Sequence, residues 1–180
     1  AFGTAPWELL LVDDARSLCE GFNRGLARSR GDIVLFCHDD IEVAGVDLAQ
    51  RLHAALAVDD VVGVAGTTRM AGANWAWSGA PFAHGWVAHV RDGRTLAGAY
   101  ALDGPRVGAI ESLDGVFIAT RREFALQLGF DADTYDGFQL YDADFCWRAR
   151  RAGLRLAVRT DLPLVHASGG RFDREWVRYA

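Results

Sequence analysis

The sequence has no basic stripe, no apolar run long enough to cross a bilayer, and few cysteines. Each shortage closes off a class of function. Nineteen lysine-plus-arginine residues against 24 aspartate-plus-glutamate leave a formal net charge of −5. That balance argues against nucleic acid or an anionic membrane as partner, since both call for clustered positive charge. The longest apolar runs, such as Leu9 to Val12 and Ile33 to Cys37, fall far short of the ~20 residues of a transmembrane segment. No secretory leader is expected, because the first residues lack a charged region followed by an apolar stretch. Cys19, Cys37 and Cys146 are odd in number, widely spaced and set in apolar surroundings. They read as reduced, packed thiols of a cytoplasmic protein rather than as disulfides or a zinc site.

What is present is the composition of a globular domain. The chain has 180 residues, 51 % of them hydrophobic and 24 % charged, enough for one domain with a proper core and too few for two comfortable ones. Apolar runs alternate with helical patterns. Leu9 to Val12 is expected as a buried strand with Asp13-Asp14 at its exit. Ser17 and Glu20 have the spacing of a capping box, so a helix should begin near Leu18, carry Leu18, Phe22 and Leu26 on one face, and end at Gly31. A strand from Ile33, a helix over residues 47–58 with Leu48, Leu52, Ala55 and Leu56 inward, and a strand over 61–65 follow. Residues 86–90 and 95–100 flank Asp92-Gly93, a tight-turn dipeptide, and predict an inserted antiparallel hairpin. A strand over 116–119, helices over 121–128 and 143–152 stopped by Gly129 and Gly153, and short strands over 154–158 and 164–165 close the pattern. Strands separated by helices argue for right-handed crossovers and a mostly parallel sheet flanked by helices.

Two places concentrate carboxylates. The strand Ile33-Val34-Leu35-Phe36 runs into Cys37-His38-Asp39-Asp40, and much later comes Tyr141-Asp142-Ala143-Asp144. A strand that ends in acids delivers them to the carboxyl edge of a sheet, where open α/β folds place ligands.

The ordered set Val12-Asp13-Asp14, Asn23-Arg24-Gly25, Gly31-Asp32-Ile33-Val34-Leu35-Phe36 and Asp39-Asp40-Ile41-Glu42-Val43 resembles the nucleotide-sugar half of family-two inverting glycosyltransferases with the GT-A fold. Leu113-Asp114-Gly115-Val116, Gly129-Phe130-Asp131, Asp142-Ala143-Asp144-Phe145 with Arg148, and Val165-His166 extend the match from Trp7 to Gly170. The strand, His, Asp, Asp form looks most like the branch of streptomycin-biosynthesis-type transferases. The resemblance implies a Rossmann-like GT-A sheet and a nucleoside-diphosphate sugar donor. It also implies a glycan or metabolite acceptor, and Mn²⁺ or Mg²⁺ as cofactor. The family opens with a further apolar strand and loop ahead of the position where this chain starts. A domain truncated at its amino terminus, within a longer protein that carries further domains, is the corresponding expectation.

Residue by residue, the resemblance puts Asp40 at the last acid of the family's metal motif, with His38 where the first acid often stands, and His166 at the late histidine that completes the metal's coordination. Asp142 falls at the catalytic-base position, preceded by Tyr141 where an acid is usual. Asp13 matches the acid that contacts the nucleoside base, Asp39 belongs with the nucleotide-sugar residues, and Asp114-Gly115 resembles the floor under donor sugar and acceptor. The chemistry agrees: a divalent ion neutralises a departing diphosphate, and a carboxylate takes the proton of the attacking hydroxyl. Capping explains Asp39, Asp40 and Asp142 equally well taken one at a time. Asp144 is expected to contact the acceptor, with Arg148 pairing with it or with a phosphate. Trp75, Trp77 and Trp86 lie in or near a Gly/Ala/Ser-rich insertion where three indoles are hard to bury together, and are expected to offer faces to the acceptor. His53, His84 and His89 receive no assignment. A non-catalytic nucleotide- or sugar-binding module is the other reading, and a Mg²⁺ phosphohydrolase a distant third.

Overall fold

The computed structural model describes residues 2–45, 47–91, 94–102, 104–167 and 174–179. Helix α1 (Leu18–Arg28) starts where the capping pattern places it. Ser17 Oγ accepts from the Glu20 amide at 3.1 Å, and Glu20 reaches back to the Arg16 amide at 2.9 Å. The helix ends two residues earlier than expected, on an extended Ser29 rather than at Gly31. Strands β1 (Ile33–Cys37) and β2 (Ile41–Val43) follow, then α2 (Leu48–Leu56), which buries Leu48, Leu52, Ala55 and Leu56. After β3 (Val61–Gly63) and β4 (Ala65–Thr67), a 3-10 turn at Trp75–Ser78 leads into the hairpin β5 (Ala83–Arg91) and β6 (Arg94–Ala99). Arg91 pairs with Arg94, and the Asp92-Gly93 turn itself lies outside the described residues. The chain continues through β7 (Arg106–Val107), β8 (Ser112–Leu113), β9 (Phe117–Arg121), α3 (Arg122–Leu128), α4 (Tyr141–Arg151), β10 (Leu156–Arg159), β11 (Leu164–His166) and α5 (Arg174–Tyr179). Gly129 and Gly153 follow α3 and α4 with φ of +58° and +84°, the left-handed geometry that glycine supplies at a helix end.

The main sheet has the order β1-β9-β3-β10-β7, and a second sheet runs β2-β11-β5-β4-β8 with β6 on β5. Period-two alternation sends the main sheet's side chains to two cores. Val34, Phe36, Val61, Ile118, Leu156 and Val158 meet α1, α3 and α4. Val62, Phe117, Ala119 and Ala157 meet α2, β4 and β5. Cys19 and Cys146 are buried in the first core and all three cysteines are free thiols. Burial pushes Cys19 and Cys146 up to about 12 and Cys37 to about 11, so they are packing groups. Among the described residues no helix is long and apolar enough to cross a membrane.

Two expectations are corrected. Both sheets are mixed: in the main one β9 lies between β1 and β3 and is antiparallel to both, and only β3 and β10 pair in parallel. The insertion explains this. It leaves through β4 and returns through β8, which pair side by side, Gly66 opposite Leu113. The next strand therefore enters the sheet from the edge the chain has just left and must run backwards. The second correction concerns Leu9 to Val12, which is not a strand. Leu9 and Leu11 are 75 % and 62 % exposed, and an apolar run becomes a strand only where a neighbour takes its amides. Its segment is anchored instead by the Glu8–Arg30 ion pair at 3.0 Å.

Between α2 and β3, Asp59 is fully buried and takes two hydrogen bonds from the Arg106 guanidinium, at 2.7 and 2.6 Å, pinning β7 to the sheet. Asp59→Ala leaves Arg106 without its acid beside the core. The expected loss is about 2–3 kcal/mol, below that of a fully buried pair because the Arg106 side chain is 41 % exposed. Urea denaturation measures it, and a change under about 0.5 kcal/mol, the level of an ordinary surface substitution, contradicts the pinning role.

Candidate active site

Strand register brings the distant motifs together. Cys37 at the end of β1 pairs with Phe117 at the start of β9, so the exit of one strand, His38 to Asp40, lies beside the entry of the other, Asp114 to Val116. The His38 amide continues the ladder to the Val116 carbonyl at 3.4 Å. In the second sheet, His166 at the end of β11 pairs with Ile41 on one side and His89 on the other. These edges surround a cavity of about 240 Å³ lined by His38, His89, His166, Asp114, Gly115, Tyr141, Asp142, Trp75 and Tyr100, among others.

On one wall are two imidazoles, and behind them, outside the cavity lining, a carboxylate lies against the second. His38 Nδ1 lies 3.2 Å from His166 Nε2, which lies 3.1 Å from Asp40 Oδ1. These three donor atoms all fall within 4.8 Å of one another. Two convergent imidazoles and one carboxylate are a donor set that suits a divalent ion, so the residues fit a metal. Burial, and then the neighbouring His166, lower the pKa of His38 and favour its neutral, ligating form. Its other nitrogen, Nε2, is 2.8 Å from the Tyr141 hydroxyl.

The facing wall is the first turn of α4. The helix begins two residues earlier than expected, with Leu140 in the left-handed region as its cap (φ 58°). Asp142 is therefore no capping residue. Its carboxylate turns to the β8–β9 turn and accepts from the Gly115 amide at 3.0 Å and from the Ala143 amide at 2.9 Å. A helix amino-terminus should lower its pKa. Burial, reinforced by the negative charge of Asp114, instead raises it to about 6, outweighing those two amides. Gly115 is required by Tyr141. A Cβ there would sit 2.2 Å from the phenol oxygen and 2.5 Å from its ring, so the crowding partner is the protein's own ring. Asp114 holds the same turn by accepting from the Val116 amide at 3.0 Å.

Of the residues singled out in the sequence, the structure thus gathers Asp40, His166, Asp114, Gly115, Trp75 and Asp142, with His38. The others lie elsewhere. Asp13 is exposed in the coil before α1, and Asp39 is exposed on the turn after β1; neither lines the cavity. Asp144 is clamped to Arg148 at 2.7 Å, and Arg148 also donates to the Leu128 and Gly129 carbonyls, tying α4 to the end of α3. Trp77 is 55 % exposed on the 3-10 turn. Trp86 alternates with Val87 and His89 along β5 and so faces a separate groove, its indole N–H donating to the Thr160 carbonyl at 3.0 Å. Of the three indoles only Trp75 reaches the cavity, packed edge-on against Tyr100 with ring centres 4.9 Å apart. His89 and Tyr100 were not found from sequence. The alternation of β5 was the available signal for His89, since it shares a face with Val87.

The chain belongs to the glycosyltransferase-like family, whose sequence profile matches residues 4–179. It is also 31 % identical over 156 residues to a Fuscovulum blasticum protein designated "ATP synthase subunits region ORF 6", a match that takes in 85 % of this chain. The chain spans 58 % of that relative's length.

Gly115→Ala tests the packing beneath the site. The methyl group collides with Tyr141, and overpacking of this kind costs about 1–3 kcal/mol, so the melting temperature should fall by several degrees. An unchanged melting temperature would show that Tyr141 is free to move and does not fix the site.

Proposed function

We propose that the chain is the donor- and metal-binding domain of an inverting glycosyltransferase that moves a sugar from a nucleoside diphosphate to a hydroxyl acceptor. The observation that carries this reading is Asp142: a carboxylate with its pKa raised to about 6, facing an imidazole–carboxylate cluster across a cavity of about 240 Å³. His38, Asp40 and His166 would hold a divalent ion, whose charge offsets that of the departing diphosphate. Asp114 and Gly115 form the floor between the two walls. Trp75 and Tyr100 offer aromatic faces on which an acceptor sugar stacks.

Asp142 is suited to act as the base. Each of its oxygens accepts one backbone amide, which fixes the carboxylate plane and leaves each a lone pair for a proton. A base with a pKa of about 6 is ionised at neutral pH yet holds a proton better than an ordinary aspartate, which strengthens general-base catalysis. Asp13 and Asp39, remote from the cavity, enter this reading only as contacts to the nucleoside end of a donor that extends beyond it. A cytoplasmic location and membership of a longer protein fit the same reading, and the relative's greater length supports the second.

Asp142→Asn is expected to reduce transfer by at least about 10² while leaving donor binding nearly intact, because the amide is almost isosteric; it removes the proton acceptor and keeps only one of the two backbone-amide contacts. In the wild type, transfer should rise with pH through about 6 and level off above it as the carboxylate ionises. Stability should move the other way. A carboxyl whose folded pKa is raised stabilises fully below its unfolded value near 3.8, and that contribution is lost as pH rises through about 6. The Asn variant, having nothing to ionise, should lack this loss between about pH 4 and about pH 8, although its NH2 group can no longer accept one of the two backbone amides. Full transfer by the Asn variant removes Asp142 from the mechanism, whereas a wild type that binds no nucleoside diphosphate at all points to the non-catalytic module.

A further inference from the structure

We infer that His38 makes the metal centre selective for first-row transition ions such as Mn²⁺, Co²⁺ or Zn²⁺ and a poor site for Mg²⁺. This rests on the reading of His38, Asp40 and His166 as metal ligands and goes beyond it to the kind of ion they take.

Donor spacing comes first. The adjacent donor pairs are 3.2 and 3.1 Å apart. Two ligands at ~2.1 Å from one ion, meeting at angles between a right angle and a tetrahedral one, lie about 3.0–3.4 Å apart. Two of the three donor pairs already stand at ligand separation, and the third lies within 4.8 Å. Donor chemistry comes second: two of the three atoms are imidazole nitrogens and one is a carboxylate oxygen. Mg²⁺ wants near-octahedral oxygen and gives up its water reluctantly, whereas imidazole suits Zn²⁺, Fe²⁺, Ni²⁺ and their neighbours. A single carboxylate also leaves a hard cation little negative charge to offset its dehydration.

His38 is held ready for this role by Tyr141. The buried phenol sits 2.8 Å from Nε2. With Nε2–H donating to that oxygen, Nδ1 carries the lone pair and faces His166. A fixed partner on the nitrogen that does not bind metal sets the tautomer and ring orientation of ligating histidines. Tyr141 is in turn held against Gly115, so this orientation is built into the backbone. Asp39, exposed on the neighbouring turn, lies outside the three-residue cluster.

The test uses the chain with each metal alone, without nucleotide or sugar. Wild type should show a rise in melting temperature with MnCl2 and CoCl2 and none with MgCl2 at the same concentration, and bound Co²⁺ should give a visible absorption band. His38→Asp replaces the imidazole by an oxygen donor. It should bring a Mg²⁺ shift into view and weaken Co²⁺ binding by at least about tenfold. His38→Gln should lose Co²⁺ binding to the same degree without gaining Mg²⁺, with circular dichroism reporting that each variant is folded. An equal response of the wild type to Mg²⁺ and Mn²⁺, no response to any of the ions, or unchanged Co²⁺ affinity in both variants overturns the inference. Because no substrate is present, selective Co²⁺ binding by a chain that transfers no sugar would leave this inference standing and remove the transferase reading. Transfer supported equally by Mg²⁺ would do the reverse.

Discussion

The space beside Gly115 belongs to the Tyr141 ring, and much of the site follows from that contact. Because there is no Cβ at 115, the start of α4 lies directly against the turn between β8 and β9. That brings the Gly115 amide to Asp142 and the Tyr141 hydroxyl to His38. One close approach thereby orients a residue on each wall of the cavity. The left-handed Leu140 that precedes Tyr141 is the backbone geometry by which the helix starts early enough to do so.

The two walls are electrostatically different for a structural reason. Asp114 and Asp142 share a partly buried region whose counter-charges are backbone amides, so desolvation, and then the like charge of Asp114, raises the proton affinity of Asp142. Arg148, the first of three arginines on the same helix, is turned away and occupied by Asp144 and two carbonyls. Across the cavity the only carboxylate of the donor cluster is Asp40, and the other two donors are imidazoles. In the proposed reading, proton-taking and cation-holding are separated by which neighbours each carboxylate has.

Much of this was legible in the sequence where a local rule decides the outcome. The capping residues of α1, the inward face of α2, the hairpin of β5 and β6 and the glycine stops after α3 and α4 all follow from patterns a few residues long. The motifs that converge were legible as an ordered set, since Asp40, Asp142 and His166 stand just after strands or at a helix start. What was not legible depended on partners distant in sequence. Leu9 to Val12 has the composition of a strand, yet composition does not supply the neighbour it needs. The direction of β9 is set by where the insertion rejoins the sheet. Asp144 and Trp86 carry plausible chemistry, and only Arg148 and the alternation of β5 show that they serve elsewhere. Tyr141 read as a missing acid because its function lies in the packing against Gly115, which no local pattern announces.

The central claim is that one cavity holds a metal on the β1 and β11 edge and a base on α4. Anomalous diffraction from crystals grown with Mn²⁺ and a nucleoside diphosphate tests it most directly. The prediction is one strong Mn²⁺ peak ligated by His38, Asp40 and His166, with diphosphate oxygens on the same ion and the Asp142 carboxylate across the cavity. A peak at Asp39 or Asp144 instead, or a diphosphate seated in the groove beside Trp86 with the histidine cluster bare, would contradict it.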